Sequence, residues 1–192
     1  MTTPRHKAKL LRDLAARPGT SDAERAVLEE AAGLFDPGAV GRSGAEPRKP
    51  AARRAAAPRG PSAILWSDGA ARGNPGPAGI GAVIEDREGT RLAEVSAYLG
   101  QTTNNVAEYR ALIAGLVQAL ELGVREIEVR ADSELMIRQL KGEYRVKNAG
   151  LKPLYDEAQR LIGQFSQVKL AHVRREHNSE ADRLANEGID AR

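Results

Sequence analysis

From residue 63 onward the sequence predicts an α/β domain, a single mixed sheet covered by helices. Three observations predict it. Short apolar segments alternate with segments of helical apolar period, in the order three strands, helix, strand, two helices, strand, helix. Two of the apolar segments run directly into an aspartate, Asp68 and Asp132, as strands do when they deliver polar groups to the carboxyl edge of a sheet. Charged residues make up 29% of the chain and aromatics 4%, so the core must be built from Leu, Ile, Val and Ala.

Residues 63–67 (AILWS) form the first strand, ending at Asp68. Residues 79–85 and 91–99 form two more, joined by the turn 86–90 into a hairpin. Asn104 or Asn105 caps a helix whose apolar positions are Ala107, Leu112, Ile113, Leu116, Val117 and Leu120, and Gly123 stops it. Residues 126–131 alternate Ile127, Val129 and Ala131 as a strand ending at Asp132, and Ser133 starts a short helix through Leu140. A helix over 151–165, a strand over 168–173 and a final helix over 179–187 complete the domain.

Ahead of it the character differs. Residues 1–35 predict a small helical hairpin, with Leu10, Leu11 and Leu14 on one stripe, a break at Pro18-Gly19, and Ser21 with Glu24 as a capping box. Residues 36–62 are rich in Gly, Pro, Ala and Arg without apolar period, which is the composition of a flexible basic linker. Residues 1–62 hold twelve Lys/Arg against seven Asp/Glu, leaving +5; residues 63–192 hold seventeen against nineteen, leaving −2. A basic arm of this kind contacts phosphate backbones or another protein.

Composition also excludes. The chain has no cysteine, which rules out disulfides, zinc-thiolate sites and thiol catalysis. No apolar run approaches the roughly 20 residues of a membrane span. The basic N-terminus lacks the apolar core of a signal peptide, so no membrane partner and a cytoplasmic location are expected.

Four carboxylates, Asp68, Glu108, Asp132 and Asp182, lie inside short polar signatures: SDGAARGNPGPAG, TTNNVAEYRAL, RADSELMIRQLKGEY and REHNSEADRLAN. Each has a plain structural reading. Asp68 can start a turn, Asp132 can cap a helix, Glu108 can be an exposed helix acid, and Asp182 can close a capping box with Ser179. If they converge, each pair about 4 Å apart costs roughly 4 kcal/mol at an effective dielectric near 20. Such a cluster needs a cation, and hard oxygen donors select Mg²⁺ or Mn²⁺.

The four signatures in this order resemble type 1 ribonuclease H over nearly the whole segment 64–186. The likeness is to the compact bacterial and archaeal subgroup, because 142–154 is too short for a basic helical protrusion. The resemblance implies a ribonuclease H-like fold with strand order 3-2-1-4-5 and helices on both faces. It implies an endoribonuclease that cleaves the RNA strand of RNA–DNA hybrids and leaves 5′-phosphate and 3′-hydroxyl ends. Asp68, Glu108, Asp132 and Asp182 would bind two Mg²⁺ ions, with Mn²⁺ as substitute, and Asp68 would bridge them.

Substrate contacts are expected from the loop of Gly73, Asn74 and Gly76 and from Thr103, Asn104 and Asn105, whose polar groups suit sugar edges and phosphate. The 2′-hydroxyl is the handle that marks the RNA strand. His177, five residues before Asp182, is a candidate for the loop histidine of longer members; His172 reads as a structural residue on a strand. Glu134 stands where many members have Gln, and its oxygen either joins the metal site or repels a phosphate. Two other readings are a relative acting on double-stranded RNA or RNA–DNA junctions, and a non-catalytic hybrid-binding protein. The second is disfavoured by the presence of all four acids. A monomer is expected.

Overall fold

The structure, a computed structural model, describes residues 61–191. The hairpin expected over 1–35 and the linker expected over 36–62, apart from Pro61 and Ser62, lie outside the described residues. The elements are β1 (Ser62–Ala71), β2 (Gly76–Glu85), β3 (Arg91–Thr102), α1 (Asn104–Glu121), β4 (Glu126–Ala131), α2 (Glu134–Leu140), α3 (Lys152–Ile162), β5 (Gln167–His172), a 3₁₀ turn (Arg175–His177) and α4 (Ser179–Asp190). The sheet order is β3-β2-β1-β4-β5, as expected. β1, β2 and β3 pair antiparallel; β4 runs parallel to both β1 and β5.

One expectation is corrected at the strand that matters most. β1 does not end at Asp68 but continues to Ala71, and its ladder with β2 runs from Ile64↔Glu85 to Ala71↔Ala78. What ends near Asp68 is the other neighbour: the parallel ladder to β4 stops at Trp66↔Arg130. The small residues Gly69, Ala70 and Ala71 conceal the strand in the sequence because they carry little apolar alternation, while backbone hydrogen bonds to β2 hold it. The first strand also takes in Ser62, one residue before the expected boundary.

Helix α1 is capped by Thr103, not by Asn104 or Asn105. Thr103 keeps an extended backbone (φ −87°, ψ 157°), and its hydroxyl accepts from the Val106 N–H at 3.4 Å, as an N-cap requires. α3 is shorter than expected at both ends. Leu151 and Phe165 extend the apolar pattern because both are buried against the core, outside the helix itself.

The core lies between the sheet and α1. Leu65, Ile80, Ala82 and Ile84 from the strands meet Tyr109, Leu112 and Leu116, all nearly inaccessible. Each such Leu or Ile contributes about 1.5–3 kcal/mol by burial. α3 packs on α1, and α4 covers the opposite face over β2, β3 and β1.

Two glycines let helices approach β1 and β2 closely. A Cβ on Gly69 would lie 2.1 Å from the Ala107 carbonyl carbon of α1; one on Gly81 would lie 2.0 Å from the Ala181 carbonyl oxygen of α4. Gly81 is paired with Asp68 and so shares its face, whereas Gly69 faces the other way. Glycine next to Asp68 in the chain and across from it thus brings one helix to each side of that carboxylate. Among the described residues no helix is long and apolar enough to cross a membrane.

Candidate active site

The four predicted carboxylates come together. Asp68, Glu108, Asp132 and Asp182 line one cleft of about 250 Å³, with Gly69, Ala70, Ala71, Arg72, Asn104, Arg175 and Asn186. Each arrives by its own route. Asp68 stands on β1 just past the point where β4 stops pairing, so its neighbour has left the sheet. Asp132 is the first residue after β4. Glu108 comes from the start of α1, placed by the approach that Gly69 permits, and Asp182 lies in the first turn of α4.

The charges interact as the clustering argument requires. Asp68 is 9% exposed, and its pKa is pushed from 3.8 up to about 8 by burial, then by the charges of Asp132, Asp182 and Glu108; the Gly69 N–H opposes the rise. Glu108 is also raised, chiefly by burial and further by Asp132. Hydrogen bonds from Ser133 and Asn104 counter it.

Neutral donors orient three of the acids, and a cation holds the fourth, with Asn186 Nδ2 donating to its other oxygen at 3.4 Å. The Ser133 hydroxyl donates to Glu108 Oε2 at 2.6 Å and Asn104 Nδ2 to Oε1 at 2.9 Å. Asn178 Nδ2 donates to Asp132 Oδ1 at 3.1 Å and to the Ser67 carbonyl at 3.0 Å. Asp68 takes the Gly69 N–H. Arg175 Nη2 meets Asp182 Oδ1 at 2.6 Å, and Asn186 Nδ2 donates to the Asp182 carbonyl at 2.9 Å. The Arg175 guanidinium is held further towards its charged form by Asp182, with Asp68 and Asp132 adding to it.

The donor set fits a hard divalent cation: four carboxylates face one cleft, and the charges of Asp132, Asp182 and Glu108 all bear on the buried Asp68. Among the described residues no three His, Asp or Glu side chains stand close enough to hold one ion as they are. Glu108 and Asp132 are turned towards hydrogen-bond donors and Asp182 towards Arg175.

The expected substrate contacts lie beside this cleft. Arg72, Gly73, Asn74 and Pro75 form the exposed turn between β1 and β2, and Gly76 is the buried first residue of β2. Gly73 has φ +116° and the Asn74–Pro75 bond is cis. Asn74 Oδ1 accepts from the Asn104 N–H at 3.4 Å, joining the turn to the start of α1. Thr103 is committed to capping, Asn104 to Glu108, and Asn105 is exposed.

His177 is not brought to the carboxylates. It lines a neighbouring cavity of about 160 Å³ with Trp66, Val83, Glu85 and Ser179. His172 ends β5 in an exposed position. Glu134 is exposed and pairs with Arg138 at 2.7 Å, away from the metal-type donors. Sequence reasoning missed Ser133, Asn178 and Arg175 as site residues. Ser133 and Asn178 sit inside the motifs already noted, next to a helix start in each case, which is where a capping reading hides a second role.

Four acids thus line one cleft at the open carboxyl edge of a mixed sheet, a donor set of the kind that suits a hard divalent cation. Residues 66–188 match the family model described as Reverse transcriptase-like. A bifunctional protein of Mycobacterium tuberculosis is 48% identical over 129 residues, 67% of this chain but 35% of that protein, so the chain spans about a third of it. The structure of a ribonuclease H from the archaeon Halobacterium salinarum superposes with a TM-score of 0.67 at 40% identity, covering 68% of this chain and 99% of that one. A compost-derived ribonuclease H in complex with an RNA/DNA hybrid gives 0.63 at 47%, covering 67% and 97%. The chain belongs to the ribonuclease H family.

Proposed function

We propose that the protein is an endoribonuclease that hydrolyses the RNA strand of RNA–DNA hybrids, leaving 5′-phosphate and 3′-hydroxyl ends. The observation that carries the reading is the shared cleft of Asp68, Glu108, Asp132 and Asp182, with Asp68 pushed up to about 8 by burial and by the other three acids. The hybrid bound by the compost-derived relative supports the substrate.

Asp68, Glu108, Asp132 and Asp182 would hold two Mg²⁺ ions, or Mn²⁺ in their place. When bound, the cations supply charge for an in-line displacement at phosphorus and an activated water. The chain's own residues do the positioning. Ser133 and Asn104 fix both oxygens of Glu108, and Asn178 fixes Asp132 against the β1 backbone. Gly73, Asn74 and Gly76 on one side and Thr103, Asn104 and Asn105 on the other provide groups for the two strands of the hybrid, with the 2′-hydroxyl as the discriminating contact. His177 faces the adjoining cavity, so any part it takes in product release requires its side chain to turn out of that cavity.

Residues 63–192 form the catalytic domain in this reading. Residues 1–35 and the linker 36–62 act as an auxiliary clamp on nucleic acid through their +5 charge, on a monomeric, cytoplasmic protein. Removing residues 1–60 should raise KM and flatten its salt dependence with kcat retained; an unchanged KM across a salt series removes the clamp.

A strand-labelled hybrid incubated with Mg²⁺ or Mn²⁺, beside Asp132→Asn, tests the main reading. RNA-strand cuts that vanish in the variant support it. Tight binding without cuts points to a hybrid-binding protein, and faster cutting of double-stranded RNA or of RNA–DNA junctions moves the substrate.

A further inference from the structure

The cleft holds an internal cation. Among the described residues, Asp182 alone of the four carboxylates is engaged by a charged group, Arg175, at 2.6 Å. The other basic residue lining the cleft, Arg72, is taken up bidentately by Asp190 at 2.6 and 2.9 Å. The Arg175 side chain is 76% exposed while that of Asp182 is 27% exposed. It therefore reaches the acid from the solvent side and can withdraw without unpacking anything.

Its backbone, by contrast, is fixed. The 3₁₀ turn closes through the His177 N–H to the Arg174 carbonyl (2.9 Å) and the Asn178 N–H to the Arg175 carbonyl (2.9 Å). Asn178, 1% exposed, then anchors the turn to Ser67 and Asp132. A rigid base under an exposed side chain makes a contact that can open by rotamer change alone.

We infer that Arg175 is a built-in counter-cation of the carboxylate cleft, which competes with the divalent metal for Asp182 and is released when the metal binds. The inference rests on the metal-site reading above. Asp182 turned to Arg175 cannot point its Oδ1 at an ion, and the guanidinium charge lowers the attraction of the cleft for any second cation. Metal affinity is thereby set weaker than the four acids would otherwise give, and the metal-free cleft is relieved of part of its self-repulsion.

Calorimetric titration of the full chain with Mn²⁺, without nucleic acid, tests this, using Arg175→Gln, Arg175→Lys and the control Arg183→Gln. Arg183 also pairs with acids of α4, Glu180 and Glu187, but does not line the cleft. Arg175→Gln should bind Mn²⁺ about two- to fivefold more tightly, the scale of an exposed ion pair, with Arg175→Lys and Arg183→Gln near the parent. Melting should show Arg175→Gln below the parent in chelator and level with it at saturating Mn²⁺. Equal affinity in Arg175→Gln and Arg183→Gln, or the same melting deficit with and without Mn²⁺, overturns the inference and leaves Arg175 a structural residue. A parent protein that binds neither Mn²⁺ nor Mg²⁺ overturns the metal site itself, and this inference with it.

Discussion

Asn178 donates one side-chain hydrogen-bond pair from a single nitrogen, to the Asp132 carboxylate at 3.1 Å and to the Ser67 carbonyl at 3.0 Å, so the acid after β4 is fastened to the backbone of β1. The residue is 1% exposed, and no water can replace it cheaply. Asn178→Ala should therefore cost about 1–3 kcal/mol, the penalty of leaving buried acceptors unpaired. A urea midpoint close to the parent's would contradict this. Hybrid cleavage should fall by about tenfold or more, through kcat, because Asp132 loses its orientation.

Ser133 joins Glu108 to the start of α2, and its hydroxyl also accepts from the Met136 N–H at 3.4 Å. Its bond to Glu108 lowers a pKa that burial raises. Removing it lifts the pKa further, so the ionised carboxylate appears only at higher pH. The acidic limb of the pH–rate profile of Ser133→Ala should move to higher pH, with about 1 kcal/mol of stability lost from the cap. An unmoved limb would separate Ser133 from the site.

Asp68 makes the metal-free protein sensitive to pH with a definite sign. Its folded pKa of about 8 stands above its ordinary 3.8, so between those values the folded state binds more protons than the unfolded one. Stability in chelator should fall as pH rises through that window. Asp68→Asn, which cannot ionise, should melt higher than the parent at pH 8 in chelator, by about 3–5 °C for each kcal/mol recovered. At pH 4 the two should melt together.

The two close helix approaches allow a packing test. Gly69→Ala and Gly81→Ala each put a methyl group within 2.1 Å or less of backbone that has no room to rotate aside. Each should cost about 3 kcal/mol or more. Gly89→Ala, at an open turn, should be much milder despite its φ of +84°. Equal effects at all three positions, measured by chemical denaturation, would show that space is not what these glycines provide.

Much of the architecture was legible because periodicity survives where one face of an element is buried. The alternation Ile127, Val129, Ala131 marks β4 to its last residue, and Asp132 follows it as expected. Reading failed where backbone pairing or tertiary distance decided the outcome. Gly69 to Ala71 look like a turn, yet β2 holds them as strand. The Asn pair before Val106 looks like a cap, yet Thr103 has the extended backbone and supplies the oxygen. Arg175 reads as one more charge in an exposed run. Its contact with Asp182 spans seven residues across a 3₁₀ turn, outside the i,i+3 and i,i+4 ion pairs that a helix brings together. The same turn directs His177 into the cavity beside Trp66.

The early end of the β1–β4 ladder grades the site mechanically. Asp68 sits inside an antiparallel ladder that continues three residues beyond it, to Ala71, while Asp132 has already left its strand and Asp182 rides on a helix start behind a short turn. Asp68 is a fixed datum, Asp132 is tied back to the same strand by Asn178, and Asp182, met from the surface by Arg175, is the carboxylate with room to adjust. Cations of different radius would then be accommodated by shifts of Asp182 towards an unmoving Asp68, and the β1 amides around Asp68 should be among the slowest to exchange with solvent.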